Sequence, residues 1–458
     1  MESLTTTQKT FAEIQADWIT QLRFEELPTK VIRIAKLCLL DFLGVAMRGK
    51  SLPQTYPVEA LLALHEGIHG ASIIGGRRTS IPYAALANGT YGHSCEFDDS
   101  HLHGGHPGVC VIPASLACAE GKAVDGAQFI TALVAGYQSM ILSVGPIHRR
   151  TLELGWHGTK IGGVFGAAAA AGKILGLSST EIANALAIAA SDASGTMEYD
   201  QSGGEIKRFH AGLASRAGVE AAILAESGLT GPRTIFEGKR GIHSLFSAGR
   251  AAQVDKYPLD SFHILNTMFK LHPCAGTLHA AIDCVAVICD QHDVIAKDIQ
   301  KIEVGLIDWA IPHGAAIITP VDAISAQFSL AFAIALKLIT GNSRIDDFLD
   351  PALWQDPRVV EIAHKVIPLA EATPDGADEL FARVSIKLKD GSQFTHSQIG
   401  PRGFPSLPAS DEDITEKFRA LTARILPDQE ANALIEGIFN LESEPDLGFI
   451  FSAMGKIG

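Results

Sequence analysis

The feature that most constrains the fold is a set of apolar segments, rich in alanine and glycine, that recur with helical spacing. The segment TKIGGVFGAAAAAGKILG (159–176) is the clearest of them. Side chains this small let neighbouring helices pack almost backbone to backbone. With 44 Gly and a hydrophobic share of 47% in 458 residues, the sequence predicts a mainly α protein with a large buried core.

Amphipathic helices are predicted along most of the first 250 residues. Phe11, Ile14 and Trp18 share one helical face, which predicts a helix near the start of the chain. Ser178 is followed three residues later by Glu181, a capping-box pattern that predicts the first turn of another helix.

The pattern changes near residue 260. KIEVGL (301–306) and RVSIKL (383–388) alternate apolar and polar residues, as half-buried strands do, and Asp390-Gly391 after the second predicts a hairpin. Between these strands, SAQFSLAFAIALKLITG (325–341) is predicted to form one apolar helix. We therefore expect a smaller α+β module in this part of the chain.

We predict two domains. The first is a large all-α helical domain of residues 1–265, completed by residues 405–458 from the other end of the chain. The second is a smaller α+β lid domain, residues 266–404. Two domains agree with the usual domain size for a chain of this length.

Charge and cysteine content narrow the function. The net charge is −14, from 51 acidic and 37 basic residues, which argues against nucleic acid or an anionic membrane surface as a partner. The 7 cysteines form no CxxC pair and are typical of reduced thiols in a cytoplasmic protein. No uninterrupted apolar run reaches the ~18 residues of a membrane span, and no signal peptide is predicted at the N-terminus.

Ionisable side chains are concentrated between Asn88 and Glu120. Six of them fall within eleven positions, in a chain that is 19% charged overall: Glu96, Asp98, Asp99, His101, His103 and His106. Glycines and a proline after them predict that the histidines lie on a loop, following whatever helix carries the acidic residues.

Three interpretations of this cluster are open from the residues alone. His101, His103 and His106, with Asp98 or Asp99, are of the types that bind zinc or iron. Alternatively, one histidine is an acid–base catalyst oriented by the carboxylates. The third interpretation is helix capping and surface hydrogen bonding without chemistry.

Three further polar clusters interrupt apolar surroundings. His157 precedes the alanine-rich helix, where a helix N-terminus would favour the neutral imidazole, although a lone histidine there is often structural. GGEIKRFHAG (203–212) contains Lys207, Arg208 and His210, which form either an anion-binding turn or a solvated basic turn. Lys270 opens KLHPCAGTLH (270–279), in which Cys274, His272 and His279 also occur and the cysteine is expected only to pack.

Several common sites are not supported. GAAAAAGKI (166–174) departs from the phosphate-loop pattern, because its glycine spacing is too long and Ile174 replaces the metal-binding hydroxyl. No GxSxG is found, and no strand precedes a well-formed GxGxxG. Serine hydrolase and dinucleotide-binding functions therefore lose support.

Taken together, the segments resemble the MmgE/PrpD family, which includes 2-methylcitrate dehydratase, cis-aconitate decarboxylase and iminodisuccinate epimerase. The resemblance spans most of the chain and depends on the order and spacing of five motifs. These are NGTYGHSCEFDDS with GHPGVCVIPASLACAE, GWHGT, GGEIKRFHAGLASRAG, KLHPCAGTLHAAID and AISAQFSLAFAIALKL.

The resemblance implies an all-α domain built from both chain ends, an inserted α+β lid, a homodimer, and a site between the domains without cofactor or metal. By position, it implies four catalytic residues: His106, His157, Lys207 and Lys270. It also implies a set of substrate-binding residues: Glu96, Asp98, Asp99, Ser100, Arg208 and His210.

Three departures from the family pattern bear on specificity. Glu96 replaces the usual Asp of the acidic motif, as in the fungal decarboxylase, and its longer side chain reaches differently. Ser100 stands where the family commonly has Thr. An active-site tyrosine of some decarboxylases has no obvious counterpart within DWAIPHGAAIITP.

We therefore predict a lyase that transfers a proton at a carbon next to a carboxylate of a small di- or tricarboxylate. Dehydration like that of 2-methylcitrate dehydratase is placed first, with decarboxylation like that of cis-aconitate decarboxylase, and epimerisation, as alternatives. A catalytically silent paralogue that binds polycarboxylates is a candidate of another class, and a metal hydrolase is a third.

Overall fold

The computed structural model describes residues 8–65, 70–199, 204–312 and 314–457. Two compact units are formed, one by Met1–Thr267 with Ile414–Gly458 and one by Met268–Asp413. The protein is mainly helical with a small mixed sheet in the C-terminal region, which confirms the predicted fold class.

Eleven helices are described in the first unit before its C-terminal segment. They are α1 (Phe11–Gln21), α2 (Thr29–Lys50), α3 (Tyr56–Ala63), α4 (Ile81–Gly92), α5 (Gly108–Ala119), α6 (Gly126–Val144), α7 (His148–Glu153), α8 (Gly158–Leu175), α9 (Ser179–Ala189), α10 (Ile206–Glu226) and α11 (Ile242–Phe246). The predicted capping box is confirmed at α9, where the Ser178 side chain accepts a hydrogen bond from the Glu181 N–H. A short hairpin of β1 (Ala71–Ser72) and β2 (Arg78–Thr79) was not predicted.

Helix α8 packs between α6 and α10 at the centre of the first unit. The approach is close: a Cβ atom added at Gly218 on α10 would come within 2.4 Å of the Ala167 Cβ on α8. At Gly136 on α6, an added Cβ would lie 2.9 Å from the Ala170 Cβ. Glycine and alanine are therefore required here by backbone distance, as the sequence predicts.

In the part of the chain that the structure describes, one helical stretch is long and apolar enough to cross a membrane. It runs from Gly126 to Glu153 with a mean hydropathy of 1.4 over its most apolar window. That window is 100% buried inside the protein, so the stretch is a core helix.

The second unit combines helices with a mixed four-stranded sheet. Its elements are α12 (His279–Gln291), β3 (Ile299–Leu306), α13 (Ala323–Gln327), α14 (Leu330–Thr340), α15 (Ile345–Leu349), α16 (Pro351–Trp354), α17 (Pro357–Ala363), β4 (Val366–Ala370), β5 (Ala382–Leu388) and β6 (Gln393–Gln398). The strand order is β4-β3-β5-β6; β4 is parallel to β3, and the other pairs are antiparallel.

Two features of this unit differ from the sequence prediction. The predicted single helix over 325–341 is wrong, since the Ser329 hydroxyl accepts from the Phe332 N–H at 3.0 Å and starts α14 as a separate helix. Strand β4 was missed because Pro368 weakens its strand pattern. Proline is tolerated there since β4 is an edge strand.

The C-terminal segment consists of α18 (Asp411–Thr422), α19 (Asp428–Phe439) and α20 (Gly448–Gly455), and from Ile414 onward it belongs to the first unit. Lys417 on α18 forms an ion pair with Asp41 on α2, with 2.6 Å between Nζ and Oδ1. The same ammonium donates to the Phe97 carbonyl at 2.5 Å. Lys417 therefore connects the C-terminal segment to the loop that contains Phe97 and the neighbouring residues Glu96 and Asp98.

Candidate active site

The acidic segment begins where α4 ends. A 3-10 turn, His93–Cys95, follows the helix, and Glu96 then adopts a left-handed backbone with φ 53°. This conformation is uncommon for a residue other than glycine and stops the helix. The expectation that a helix carries the acidic residues is therefore wrong, because they lie on irregular backbone.

Glu96 forms a buried ion pair with Lys207 on the first turn of α10. The exposed fractions of the two side chains are 7% and 6%. Two charges taken out of water are tolerated because each neutralises the other.

Arg208 is also buried. It donates to the Ser94 carbonyl and to the Glu205 carboxylate, so it supports the turn that precedes Glu96. The alternative of a solvated basic turn for this segment is therefore wrong.

Asp98 lies between two imidazoles. Its Oδ2 is 2.9 Å from His93 Nδ1 and 2.9 Å from His106 Nδ1. Burial by itself would raise the pKa of the Asp98 carboxyl, but the two imidazoles together hold it well below its usual range. An ionised carboxylate only accepts hydrogen bonds, so each histidine presents an Nδ1–H to it.

His157 precedes α8 as its N-cap residue, in agreement with the prediction, and its N–H donates to the Gly195 carbonyl at 2.8 Å. Its Nδ1 lies 3.0 Å from His210 Nδ1, so one ring donates and the other accepts. Burial holds the pKa of His157 well below its usual range and lowers that of His210 to about 4. Both imidazoles are therefore neutral near pH 7.

The histidines form a continuous row. The His93 and His106 ring centroids are 4.7 Å apart, and those of His93 and His157 are 6.0 Å apart with an interplanar angle of 18°. His157 continues the row to His210, and the Tyr199 ring lies 5.6 Å from that of His157. Of the predicted residues, His106, His157, Lys207, Asp98, Glu96 and His210 thus come together in the first unit.

The Asp99 carboxylate makes hydrogen bonds that stabilise the surrounding structure. Its Oδ1 accepts from the Gly108 N–H at 3.0 Å, at the start of α5, and its Oδ2 accepts from the Tyr137 hydroxyl at 2.5 Å. Burial raises the pKa of this carboxyl to about 7. Ser100 is buried in the same loop. Asp99 thus holds the loop that carries His106, whose Nδ1 is also 3.0 Å from the Asp99 carbonyl.

His101 and His103 face away from this row. His101 pairs with Gly105 across a tight loop, and its Nδ1 accepts from the His103 N–H at 3.1 Å. His103 Nδ1 lies 2.5 Å from the Tyr257 hydroxyl. The metal set considered from the sequence is therefore not brought together.

Within the described residues, the group close enough to share an ion is instead His93, Asp98 and His106, whose ligand atoms lie within 4.8 Å of one another. Both imidazole Nδ1 atoms already contact the same carboxylate oxygen at hydrogen-bond distance. We interpret the group as a hydrogen-bonded triad.

Lys270 belongs to the second unit, where it is buried with an exposed fraction of 2%. Nearby in sequence, His272 Nε2 is 3.0 Å from Asp283 Oδ1, and Cys274 is buried, as a packing role predicts. The assignment of Lys270 to the site depends on the resemblance.

His93 was missed in the sequence analysis, although the motif that contains it was recognised. Its signal is weak, because it is separated from Asp98 by an irregular turn rather than by helical spacing. The left-handed backbone at Glu96 turns the chain between positions 93 and 98, whose side chains meet at 2.9 Å.

The fold and this cluster define a two-domain, mainly helical protein with a buried set of groups suited to proton transfer. The chain belongs to the MmgE/PrpD family: residues 13–255 match the MmgE/PrpD N-terminal domain and residues 272–441 the MmgE/PrpD C-terminal domain.

Relatives point to one branch of this chemistry. The chain is 28% identical to the cis-aconitate decarboxylase-like protein oryM of Aspergillus oryzae, over 94% of each chain. It is 28% identical to the cis-aconitate decarboxylase of Homo sapiens, over 96% of this chain and 93% of that one. The 2-methylcitrate dehydratase of Salmonella typhimurium is 22% identical over 58% of this chain and 57% of its own. These similarities favour decarboxylation over the dehydration placed first from the sequence.

Proposed function

We propose that the protein is a lyase that decarboxylates a small tricarboxylate, cis-aconitate or a close analogue, with His106 as the proton donor. The observation that carries the proposal is the 2.9 Å contact between His106 Nδ1 and the buried Asp98 carboxylate. Full-length similarity to cis-aconitate decarboxylases supports the choice of reaction.

Decarboxylation needs an acid. The bond between carbon and carboxylate breaks, carbon dioxide leaves, and the electron pair stays on an allylic carbanion that takes up one proton. Because His106 Nδ1 is engaged by the Asp98 carboxylate at 2.9 Å and by the Asp99 carbonyl at 3.0 Å, we assign the proton donor to the other ring nitrogen, Nε2. The His106 side chain is 13% exposed, which leaves a path for the proton to be replaced from water.

The second histidine has a different role. Burial keeps His157 neutral, so it is suited to orient the substrate by hydrogen bonding and unsuited to supply the proton. The resemblance implies that His106 and His157 are both catalytic and gives neither of them a separate role. Their environments favour His106.

Cations are needed for the carboxylates that remain on the substrate. Lys207 is the candidate in the first unit. A substrate carboxylate would bind the Lys207 ammonium group next to the Glu96 carboxylate, which already forms an ion pair with it. Lys270 is proposed for the same task on the resemblance. Charge that develops on a carboxylate is stabilised by such fixed cations by several kcal/mol.

Dehydration is the second candidate. His157 as the base for the carbon proton and His106 as the acid for the departing hydroxyl would provide the two groups that dehydration needs. The partial match to a 2-methylcitrate dehydratase supports it. Epimerisation, and binding without turnover, use the same residues.

A substrate panel tests the proposal. The protein is incubated with cis-aconitate, 2-methylcitrate, citrate and iminodisuccinate, while carbon dioxide release, alkene absorbance and chirality are followed. We expect carbon dioxide from cis-aconitate and none from the others. Alkene formation from 2-methylcitrate without carbon dioxide would replace decarboxylation by dehydration, and binding without any turnover would support a silent paralogue.

We also propose that the protein is a cytoplasmic homodimer that needs no metal. Light scattering would give twice the 48.6 kDa of one chain. Stoichiometric zinc or iron in the purified protein, together with inhibition by chelators, would contradict the metal-free proposal.

A further inference from the structure

A second imidazole, that of His93, contacts the Asp98 carboxylate, which also contacts His106. His93 Nδ1 lies 2.9 Å from Asp98 Oδ2, the same oxygen that His106 Nδ1 approaches at 2.9 Å. His93 donates its Nδ1–H to that oxygen, because an ionised carboxylate has no hydrogen to give. The single Nδ1–H of His106 is shared between this oxygen and the Asp99 carbonyl at 3.0 Å. The negative charge of Asp98 is therefore shared between two rings.

His93 is held firmly in this position. Its exposed fraction is 0%, and its ring packs edge-on against His106 and parallel to His157. Among the described residues, none forms a hydrogen bond with His93 Nε2. The hydrogen bond to Asp98 is thus the polar contact that fixes the orientation of the ring.

We infer that His93 is a positioning residue that holds Asp98 and takes up part of its charge, thereby limiting how strongly Asp98 retains a proton on His106. The inference rests on the proposed role of His106 as acid. Without the His93 donor, the full carboxylate charge would act on His106, and its attraction for an imidazolium would grow. If the Asp98 carboxylate attracted the His106 imidazolium too strongly, His106 would be a poorer acid.

Other ionisable groups near His93 and Asp98 lie on separate helices. Lys207 on α10 and His157 at the start of α8 both act on His93, and burial lowers the pKa of His93 to about 4. At neutral pH His93 is therefore a neutral donor and not a second cation. Since substitutions at His93 leave Lys207 and His157 in place, a difference between such variants isolates the contact with Asp98.

Two variants separate the hydrogen bond from packing. In His93→Asn, the amide N–H takes the approximate place of Nδ1–H, whereas His93→Leu fills a similar volume without a donor. The His106 ring is titrated by NMR in protein labelled with ¹³C at histidine Cε1, and its resonance is identified by its loss in His106→Asn. Thermal unfolding checks that each variant folds, and His93→Phe replaces the Leu variant if that one does not.

We expect the His106 titration midpoint to rise by about one pH unit in His93→Leu, which is about tenfold in the acid dissociation constant. In His93→Asn it should stay within about 0.3 unit of the wild-type value. Equal midpoints in the wild type and in His93→Leu, or a lower midpoint in His93→Leu, would overturn the inference.

The NMR measurement does not require turnover. If the midpoint moves as expected while no substrate of the panel reacts, the proposed function fails and the role of His93 stands. If cis-aconitate is decarboxylated, the fall of kcat with rising pH should shift upward in His93→Leu together with the NMR midpoint.

Discussion

Glu96 and Lys207 form a buried ion pair in which the carboxylate is carried on a left-handed backbone, φ 53°, after the 3-10 turn that follows α4. The ammonium that we propose for substrate binding is thus neutralised by a residue at which this chain departs from the usual aspartate. Substrate affinity should therefore depend on how strongly Glu96 competes with the substrate for the Lys207 ammonium group.

Replacing Glu96 by Gln should destabilise the protein without ligand, because Lys207 would keep a buried charge without its carboxylate. The cost of such a loss is about 3 kcal/mol. A bound tricarboxylate would supply the missing anion, so cis-aconitate should raise the unfolding temperature more in the variant than in the wild type. Glu361→Gln, at a side chain that is 62% exposed and paired with Lys365 in the second unit, is the matched control and should behave like the wild type. Equal ligand shifts in all three proteins would remove Lys207 from the substrate site.

Replacing His157 by Ala should abolish turnover while the fold persists. We expect a loss of at least about 10²-fold in kcat with cis-aconitate, the usual contribution of a positioned histidine. Circular dichroism verifies the fold, and His364→Ala, at an exposed position of the second unit, is the control. Near-normal kcat in His157→Ala would exclude this residue from the site.

The sequence predicted those parts of the fold that depend on local patterns. The Ser178–Glu181 capping box and the helix that follows His157 are such cases, since caps and periodicity act within a few residues. The left-handed backbone at Glu96 was not predicted, because no residue pattern around it signals such a conformation. The break at Ser329 was missed although serine is a residue type that caps helices.

Within the described residues, the candidate site brings together three stretches that are far apart in the chain, around residues 93–106, 157 and 207–210. The family resemblance identified most of the site residues, because the motifs occur in the same order and contain the same residue types. It named neither His93 nor the sharing of Asp98 by two rings, because both depend on backbone geometry rather than on residue type.

Thermal stability should fall as the pH is lowered from 7 to 5. Burial lowers the pKa of His93 to about 4, of His148 to about 3 and of His210 to about 4, so below about 6.5 the unfolded chain binds protons that the folded protein does not. Asp99 opposes this effect, since its pKa is raised to about 7 and its folded form binds an extra proton between about 4 and 7. Three histidines outweigh one carboxyl.

Unfolding temperatures measured at pH 7, 6 and 5 check this expectation. Each buried histidine contributes a slope approaching about 1.4 kcal/mol per pH unit below its unfolded pKa. The pH dependence should therefore be shallower in His148→Gln than in the wild type. An unchanged or rising unfolding temperature toward pH 5 would contradict the neutral, buried state of these rings.

The Asp41–Lys417 pair should show strong coupling in stability. Its side chains are 0% and 4% exposed, so Lys417→Met would leave Asp41 buried without its partner at a cost of about 3–5 kcal/mol. The double variant Asp41→Leu with Lys417→Met removes both charges and should recover much of the loss in unfolding temperature. Additive effects of the two substitutions would show that the charges do not depend on each other.

The central claim is that His106, oriented by Asp98, delivers the proton in a decarboxylation. The most direct measurement is the turnover of cis-aconitate in deuterated water by the wild type and by His106→Asn, with carbon dioxide and the product followed by NMR. We predict that the wild type releases one carbon dioxide per molecule and incorporates one solvent deuterium into the five-carbon product, and that His106→Asn loses about 10²–10⁴-fold in kcat with an unchanged unfolding temperature. Undiminished turnover in His106→Asn, or no carbon dioxide from the wild type, would contradict the account.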